Sequence, residues 1–379
     1  MRKILVITGS RGEYGYVRPI LRLIDQHPGL QYQLLVTNMH LLPEFGYSRQ
    51  EFTRDGFTVE DELYMALDGS TATSMTKSLA VGLMGMADII HNSRPDLVLL
   101  AGDRGEQLMA AVAAAHANIP VAHVQAGEVS GNIDGLTRHA IARYTHIHLA
   151  ANKDAADRLV RTGEEPFRVH EVGAPQLDEF LAGNCSTVSE LATHFKIVPT
   201  DPFILFVQHP VTEQAGLAST QMETTLEALR EFALPTVMIY PNNDAGSAMT
   251  RETISRLRLP WLHIERNVSR ELYGGLMRTA AVIVGNSSSG LLEAPSFALP
   301  AVNIGRRQEG RVRGANVIDV GHDVQEIAGA VRWALSPEFR ASIAGMQNPY
   351  GDGHTSERIV HLLASIPINE ALLFKRLTY

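Results

Sequence analysis

Acidic residues follow two apolar segments in the first half of the chain, where they could carry out proton transfer. Asp103 lies one glycine after the apolar run of residues 96–101. Glu128 and Asp134 lie in the polar loop after the next apolar run, residues 119–124. If both runs are strands of one parallel sheet, these carboxylates gather at the carboxyl edge of that sheet. Carboxylates in one site can divide the general acid and base roles when their environments separate their pKa values.

Both aspartates also have a purely structural interpretation. Asp103 precedes a predicted helix that begins near Gly105 and could be its N-cap. Asp134 could cap the following helix and pair with Arg138, four residues further along the same helix face. The sequence leaves both interpretations open, although so polar a loop is costly to keep for structure alone.

Two glycine-containing turns have the composition of anion-binding loops. In residues 8–15, glycines let the backbone approach a ligand, and Arg11 could donate a forked pair of hydrogen bonds to phosphate. Residues 285–290 offer serine hydroxyls and amides before a helix, and Glu293 could accept hydrogen bonds from ribose hydroxyls. The structural alternatives are a tight turn with a surface arginine and a plain N-cap run of serines.

Further candidate ligand contacts follow apolar runs in the second half. His209 comes after residues 203–208 and is placed to donate to a phosphate, although a lone histidine is usually structural. Residues 240–246 form a polar loop after another apolar run. Residues 305–313 contain four arginines, which could clamp an anion or belong to a solvated loop. In a chain otherwise rich in acids, this cluster favours an anion.

Short apolar runs alternate with amphipathic segments along the whole chain, which predicts an α/β fold. Such runs, without polar alternation, are typical of parallel strands covered on both faces. The predicted strands are 3–8, 32–37, 96–101, 119–124 and 146–150, then 203–208, 236–240, 261–264, 281–284 and 301–304. Helices are predicted between them, among others at 16–25, 106–117, 220–232 and 289–297. This rhythm predicts two doubly wound, Rossmann-like domains that face each other across a ligand-binding cleft.

The chain divides into three parts in this interpretation. Residues 1–173 form an N-terminal Rossmann-like domain with the candidate catalytic acids. Residues 174–355 form a C-terminal Rossmann-like domain with the second set of anion-binding loops. Residues 356–379 contribute a last helix, predicted at 356–373, that packs back across the domain boundary. A length of 379 residues suits two domains better than one core.

Charge and composition exclude several classes of protein. A net charge of −8 and a pI near 6.0 lack the basic footprint of a nucleic-acid-binding protein. Cys185 is the only cysteine, so no intramolecular disulfide or cysteine-based metal site can form, which fits a reducing compartment. The apolar run of residues 4–7 is too short for a signal peptide, and no run is long enough to span a membrane. We expect a cytoplasmic enzyme that binds no metal, membrane or nucleic acid.

The motifs together resemble those of the UDP-N-acetylglucosamine 2-epimerases, specifically the hydrolysing branch that releases free N-acetylmannosamine for sialic acid synthesis. The matching segments, spread over nearly the whole chain, are residues 8–14, 102–104, 127–139, 208–210, 241–246, 285–290 and 307–314. The resemblance implies a GT-B-like fold, a UDP-sugar substrate, no cofactor, and a homo-oligomer that is a dimer or a tetramer.

The family reaction implies roles for individual residues. UDP leaves by anti elimination across C1–C2 of the sugar, and water then adds syn to the resulting glycal. By position, Asp103 and Asp134 resemble the catalytic acids of the family. The resemblance implies phosphate contacts for Arg11, His209, Ser288, Ser289 and Arg311. It implies a ribose contact for Glu293 and a place in the nucleotide pocket for Asn243. His40 and Arg104 would lie near the sugar, and Arg138 and Arg307 would make further substrate contacts.

Two positions near the sugar depart from the family pattern. Gln125 occupies the position of a further catalytic acid, so either Glu128 takes that role or the proton travels through water. Gly135 follows Asp134 where relatives carry another acid, which leaves room for a bulkier sugar substituent. The predicted substrate is UDP-N-acetylglucosamine, with a UDP-2,4-diacetamido-2,4,6-trideoxy sugar of the legionaminic acid type as the alternative. A UDP-retaining 2-epimerase and a glycosyltransferase of the same fold are further alternatives.

Overall fold

The computed structural model contains two compact units, each built on its own parallel β-sheet. It describes residues 1–68, 71–131, 133–195, 202–242, 244, 246–376 and 378. The first unit comprises Met1–Val129, Ile133–Glu179 and Tyr350–Tyr379, and the second comprises Ser130–Asn132 and Phe180–Pro349.

The sheet of the first unit has seven strands in the order β3-β2-β1-β4-β5-β6-β7. The strands are β1 Arg2–Thr8, β2 Leu30–Thr37, β3 Asp61–Leu63, β4 Leu97–Ala101, β5 Val121–Val124, β6 Ile147–Ala150 and β7 Val169–Glu171. All neighbouring strands pair in parallel. The central strands β4, β5 and β6 are buried over their whole length, which explains why their sequences are mostly apolar.

The sheet of the second unit has six parallel strands in the order β10-β9-β8-β11-β12-β13. The strands are β8 Ile204–Val207, β9 Thr236–Ile239, β10 Leu262–Glu265, β11 Val282–Gly285, β12 Ala301–Ile304 and β13 Val317–Val320. The strand order reverses at the neighbours β8 and β11, and the loops after these two strands carry His209 and the serine run. In a doubly wound sheet such a reversal point is where ligands bind.

Helices connect the strands in both units. They are α1 Arg11–Gln26, α2 Arg49–Arg54, α3 Ala72–Ser93, α4 Gly105–His116, α5 Ile133–Tyr144, α6 Lys153–Arg161, α7 Gln176–Leu181, α8 Val188–Phe195, α9 Ala218–Arg230, α10 Ser247–Arg256, α11 Arg270–Thr279, α12 Ser289–Leu292, α13 Val324–Ala334, α14 Pro337–Ile343, α15 Thr355–Ser365 and α16 Glu370–Leu373. Within the described part of the chain, no helix combines the length and the apolar character that a membrane span requires.

Each sheet separates two apolar cores. In β1, Ile4 and Val6 pack on one face of the sheet, whereas Leu5 and Ile7 pack on the other. The second sheet shows the same division, with Phe206 of β8 on one face and its neighbours on the opposite face. Since both faces are covered, each unit has the three-layer arrangement of a Rossmann-like domain. The predicted architecture of two such domains is confirmed.

The compact units do not follow the expected domain ranges. The expected boundary at 173/174 lies at 179/180, because Asp178 accepts hydrogen bonds from the amides of Thr355, at 3.1 Å, and Ser356, at 2.6 Å. The expected boundary at 355/356 lies at 349/350, since the Tyr350 carbonyl accepts from the Ala174 amide at 2.7 Å. The chain therefore passes twice between the units close to these contacts.

The last helix is also shorter than predicted. The segment expected to form one helix over 356–373 contains α15 and α16, separated by residues 366–369. Pro367 accounts for the break, because proline lacks the amide hydrogen and disfavours helix before it. Ile359 and Leu363 of α15 and Leu372 of α16 belong to the apolar core of the first unit. Similarly, the helix predicted at 289–297 ends at Leu292 and continues as a 3₁₀ turn, Ala294–Phe297, that contains Pro295.

Candidate active site

Asp103 is held by Arg138 at the carboxyl edge of the first sheet. The Arg138 Nη2 group donates to Asp103 Oδ2, and the two side chains are 3% and 17% exposed, respectively. The remaining Arg138 nitrogens, Nε and Nη1, are buried without a hydrogen-bond partner among the described residues. The N-cap of α4 is Arg104 rather than Asp103, so the N-cap interpretation of Asp103 is wrong. The geometry leaves a partly exposed carboxylate oriented by a buried guanidinium.

A neutral histidine fixes the turn that presents Asp103. Gly102 has a φ of +85°, which favours glycine, and its carbonyl lies 2.6 Å from Nε2 of His123 on the neighbouring strand β5. Burial lowers the pKa of His123 to about 3, so the ring is neutral and donates its proton to this carbonyl. The tautomer follows from this hydrogen bond.

Gln125 directly follows strand β5 and has a strained conformation. Its φ is +64°, which is unusual for a residue with a side chain. The side chain is 2% exposed, and its Nε2 group lies 3.4 Å from Oε1 of Gln176 at the start of α7. The amide at the position of the expected acid is therefore buried beside another amide.

Glu128 is a second oriented carboxylate in the first unit. It is 2% exposed, and Oε1 accepts a hydrogen bond of 2.5 Å from Asn152. Asn152 in turn caps helix α6 through the Ala155 amide at 2.9 Å, which fixes its own side chain. Asp134 lies in the first turn of α5 and is 9% exposed, with Gly135 buried beside it. All three predicted acids thus follow β4 or β5, as predicted.

The first glycine-containing turn is organised around two buried glutamates. Ser10 and Glu13 form a capping box, and Glu13 Oε2 accepts from the Gly9 amide at 2.6 Å and the Ser10 amide at 3.2 Å. Burial raises the pKa of Glu13 well above its usual value, and the neighbouring Glu106 raises it further. Glu13 thus occupies the Gly9 and Ser10 amides, so these two amides are not available to an anion.

His40 and Arg104 occupy different environments, although both were predicted near the sugar. His40 is fully buried, with Nε2 3.1 Å from the Thr8 hydroxyl and Nδ1 2.7 Å from the Ser48 hydroxyl. Burial lowers the pKa of His40 to about 3, and the positive charge of Arg11 contributes. His40 therefore supports the end of β1 from within the core. Arg104 is 13% exposed, and its Nε lies 3.3 Å from Oε1 of Glu106.

In the second unit, Asn286 ties the loop after β8 to the loop after β11. Its Oδ1 accepts from the His209 amide at 2.7 Å, and its Nδ2 donates to the His209 carbonyl at 2.8 Å. The Asn242 amide donates to Nδ1 of His209 at 3.1 Å. This hydrogen bond selects the tautomer with the proton on Nε2, so His209 can act as a donor to an anion. The predicted nucleotide contact Asn243 lies outside the described residues.

The serine run borders a buried carboxylate. Ser288 is the N-cap of the four-residue helix α12, and it makes no side-chain capping hydrogen bond. Glu293 follows this helix and is 5% exposed, and its Oε2 has no hydrogen-bond partner among the described residues. Burial raises the pKa of Tyr273 to about 12, and the charge of Glu293 contributes, which places the phenol close to this carboxylate. An acceptor buried without a donor suits a ribose hydroxyl.

The arginine-rich loop of residues 305–313 is partly buried: Arg306 and Arg313 are exposed, whereas two other residues are buried. Arg311 is 8% exposed and Gln308 is 1% exposed, and Gln308 Nε2 donates to the Asn286 carbonyl at 2.8 Å. Arg307 Nη1 approaches the same carbonyl at 3.4 Å. Arg313 is paired with Asp319 at 2.6 Å and 3.1 Å. Ordered arginines beside the serine run favour the anion-binding interpretation of this loop.

Sequence reasoning missed the residues that orient the site. Asn152, His123 and Asn286 were not assigned roles, although each contacts a predicted residue or its backbone. Two of them had a detectable signal. Asn286 stands directly before the serine run, and His123 is the next-to-last residue of the strand that precedes the loop of Glu128. Asn152 had none, because its partner lies 24 residues earlier in the chain.

The fold and the polar strand ends define a GT-B-like protein, and solved structures share this fold. A UDP-GlcNAc 2-epimerase from Neisseria meningitidis bound to UDP-GlcNAc superposes with a TM-score of 0.81 at 21% identity, covering 95% of this chain and 99% of that chain. The enzyme from Methanocaldococcus jannaschii in complex with UDP-GlcNAc and UDP has a TM-score of 0.80 at 20% identity, with the same coverage.

Sequence comparison identifies the family. The family model for UDP-N-acetylglucosamine 2-epimerase matches residues 22–364. A UDP-N,N'-diacetylbacillosamine 2-epimerase (hydrolyzing) from Legionella pneumophila is 36% identical over 377 residues, covering 99% of both chains. A UDP-N-acetylglucosamine 2-epimerase from Neisseria meningitidis is 31% identical over 344 residues, covering 89% of this chain and 88% of that protein. The chain belongs to the UDP-N-acetylglucosamine 2-epimerase family, which confirms the resemblance.

Proposed function

We propose that the protein is a hydrolysing 2-epimerase that converts a UDP-2-acetamido sugar into UDP and the free 2-epimer. The observation that carries this proposal is the Asp103–Arg138 pair, a partly exposed carboxylate oriented at the edge of the first sheet. Its support from the family is a relative that is 36% identical over 99% of the chain and is itself a hydrolysing enzyme.

The first half of the reaction breaks two bonds of the sugar. A base removes the C2 proton, the C–H electrons form the C1=C2 double bond, and UDP leaves with the electrons of the C1–O bond. We assign the base to Asp103, because Arg138 orients its carboxylate while 17% of the side chain stays exposed. We assign stabilisation of the leaving diphosphate to His209, Arg307 and Arg311, and the ribose to Glu293.

The second half of the reaction adds water to the glycal. A hydroxyl forms a bond to C1 and a proton is delivered to C2, so one group must accept a proton and another must donate one. Glu128 and Asp134 supply two carboxyl groups on the loop and helix that follow β5. Gln125 cannot exchange a proton, and its amide lies beside Gln176. We therefore assign the role expected at position 125 to Glu128, which Asn152 orients.

Between the two candidate sugars, we favour the 2,4-diacetamido-2,4,6-trideoxy substrate. The relative named for this sugar is 36% identical over 377 residues, whereas the relative named for UDP-N-acetylglucosamine is 31% identical over 344 residues. Gly135 supports the same choice. It follows Asp134 in the first turn of α5 and has no side chain, which leaves room for a larger sugar substituent. A 4-acetamido group is larger than the hydroxyl that it replaces.

The test is a direct comparison of the two UDP-sugars in deuterated water. Product formation is followed by proton and phosphorus NMR. We expect free UDP and a free 2-epimer with deuterium at C2, formed roughly tenfold faster from the diacetamido sugar. Faster turnover of UDP-N-acetylglucosamine would reverse the substrate choice only. Epimerisation with UDP still attached, or no UDP release from either sugar, would refute the hydrolysing function.

A further inference from the structure

A half-buried lysine contacts the end of helix α5 that lies farthest from Asp134. Lys375 Nζ donates to the carbonyls of Ala142 at 2.5 Å, Arg143 at 3.3 Å and Thr145 at 2.8 Å. The last carbonyls of a helix have no partners within the helix, and a cation there is favourable. Lys375 thus adds, from a distant segment, hydrogen bonds to the end of α5 and to the residue that follows it.

The counter-charge of this lysine is a carboxylate in the core. Glu164 Oε2 lies 2.6 Å from Lys375 Nζ and 2.9 Å from His148 Nε2, and its side chain is 0% exposed. Arg143, the next-to-last residue of α5, contacts the other oxygen at 3.2 Å. Glu164 therefore links the end of α5 to strand β6 and to the C-terminal segment.

The segment that carries Lys375 is anchored independently of α5. The Arg168 guanidinium donates to the carbonyls of Ala371 at 2.9 Å, Leu372 at 2.5 Å and Phe374 at 3.3 Å. Arg168 is 0% exposed, and the Leu372 side chain belongs to the core of the first unit. Since these contacts do not involve α5, the segment can hold the helix rather than move with it.

Helix α5 carries two residues of the candidate active site, and its last turn packs partly against small side chains. Asp134 lies in its first turn, and Arg138 contacts Asp103 from its middle. Ala142 packs against other small residues, Ala126 among them. The preceding isoleucine of α5 is buried among larger side chains, which also hold the helix. Contacts between small side chains resist sliding of a helix less than contacts between large ones, so polar contacts at the helix end add to its positioning.

We propose that Lys375 is a positioning residue for the reaction: it sets the position of α5 and thereby the positions of Asp134 and Arg138. The inference rests on the proposed function, because its readout is UDP release. Lys375 touches no substrate in this role. A displacement of about 1 Å at a reacting group can lower a rate by roughly 100-fold, so small movements of α5 are sufficient.

The charges around Lys375 define a pH range for the test. Burial lowers the pKa of Lys375 to about 8, and the positive charges of Arg143 and Arg168 contribute, whereas Glu164 raises it. The facing histidines, His146 and His148, have pKa values lowered by burial to about 4 and stay neutral. Lys375 is therefore protonated at pH 7 and loses its charge and one N–H donor above pH 8.

The test compares Lys375→Met with Lys375→Arg, which keeps the charge at alkaline pH. The matched control is Lys153→Met, which removes an exposed lysine paired with Asp157 at 2.8 Å. We measure kcat and KM for UDP release between pH 6.5 and 9.5, and the Kd of UDP by calorimetry. Lys375→Met is expected to lower kcat roughly 10- to 100-fold while the Kd of UDP stays within twofold. The control is expected to leave all three constants unchanged.

The variant with arginine separates positioning from general stability. We expect Lys375→Arg to retain kcat within about threefold at pH 7 and to keep it above pH 8, where that of the wild type falls. Wild-type kcat in folded Lys375→Met, or the same alkaline decline in Lys375→Arg as in the wild type, would overturn the inference. If Lys375→Met does not fold, the pH comparison with Lys375→Arg decides alone. Failure of the wild type to release UDP would instead refute the proposed function.

Discussion

Replacing Asn286 tests whether the loop of His209 is preorganised for a diphosphate. Asn286→Ala removes the two hydrogen bonds to the His209 backbone, of 2.7 Å and 2.8 Å. Asn286→Asp is the graded control, because a carboxylate still accepts from the His209 amide but cannot donate to its carbonyl. The backbone carbonyl of residue 286, which accepts from Gln308, is unaffected by either change.

The expected magnitude follows from the number of hydrogen bonds lost. Each such bond contributes about 1 kcal/mol, so Asn286→Ala loses about 2 kcal/mol and Asn286→Asp about 1 kcal/mol from the ordered loop. A ligand that binds only the ordered loop must restore this free energy. The Kd of UDP should therefore rise by up to about 30-fold in the alanine variant and by up to about fivefold in the aspartate variant.

The assay is calorimetric titration with UDP, together with thermal unfolding. We expect the Kd of UDP to be lowest for the wild type, higher for the aspartate variant and highest for the alanine variant. An unchanged Kd in a folded alanine variant would show that the His209 loop does not bind the diphosphate. If both variants lost the same affinity for UDP, the assumption that each hydrogen bond contributes separately would be refuted, because the two changes remove different numbers of hydrogen bonds.

Three further predictions concern the first unit. Asp103→Asn should abolish UDP release while the Kd of UDP stays within twofold, and residual turnover near the wild-type rate would exclude Asp103 as the base. Glu128→Gln should still release UDP but accumulate the glycal in NMR spectra, and adding Gln125→Glu should restore hydration; a harmless Glu128→Gln would return the role to water. Gly9→Ala should lower the free energy of unfolding by about 1–3 kcal/mol, and with it the melting temperature by several degrees. The reason is that the new Cβ would lie 2.2 Å from Oε1 of Glu106. An unchanged melting temperature would show that Glu106 can move aside.

The described strands that are buried over their whole length were all found from the sequence, and the partly exposed β10 was found as well. β4 and β8 are uninterrupted apolar runs because both of their faces pack against helices. This requirement affects consecutive residues, so such a strand can be recognised from a short stretch of sequence. The missed strands β3, β7 and β13 are partly exposed, and an acidic or histidine residue interrupts or shortens the apolar run in each. Their pairing with a neighbouring strand, a non-local contact, makes them strands.

Positions of candidate site residues were predictable for the same reason. Asp103 lies one glycine after an apolar run and His209 directly after another, and the end of a parallel strand is where a doubly wound sheet binds ligands. The environment of His40 was not predictable in this way, because the sequence around it does not reveal that both of its ring nitrogens are hydrogen-bonded in the core. A resemblance transfers a position, but burial is decided by all of the neighbouring elements.

The sequence by itself determined the α/β architecture, the strand ends that carry acids and arginines, and the family. These depend on local composition and on spacing along the chain. Only the tertiary structure decided that Arg138 orients Asp103 across 35 residues, and that Asn286 ties down the His209 loop across 77 residues. Such contacts form between side chains that the sheet order brings together. That order is set by the packing of whole strands and helices, which no short stretch of residues specifies.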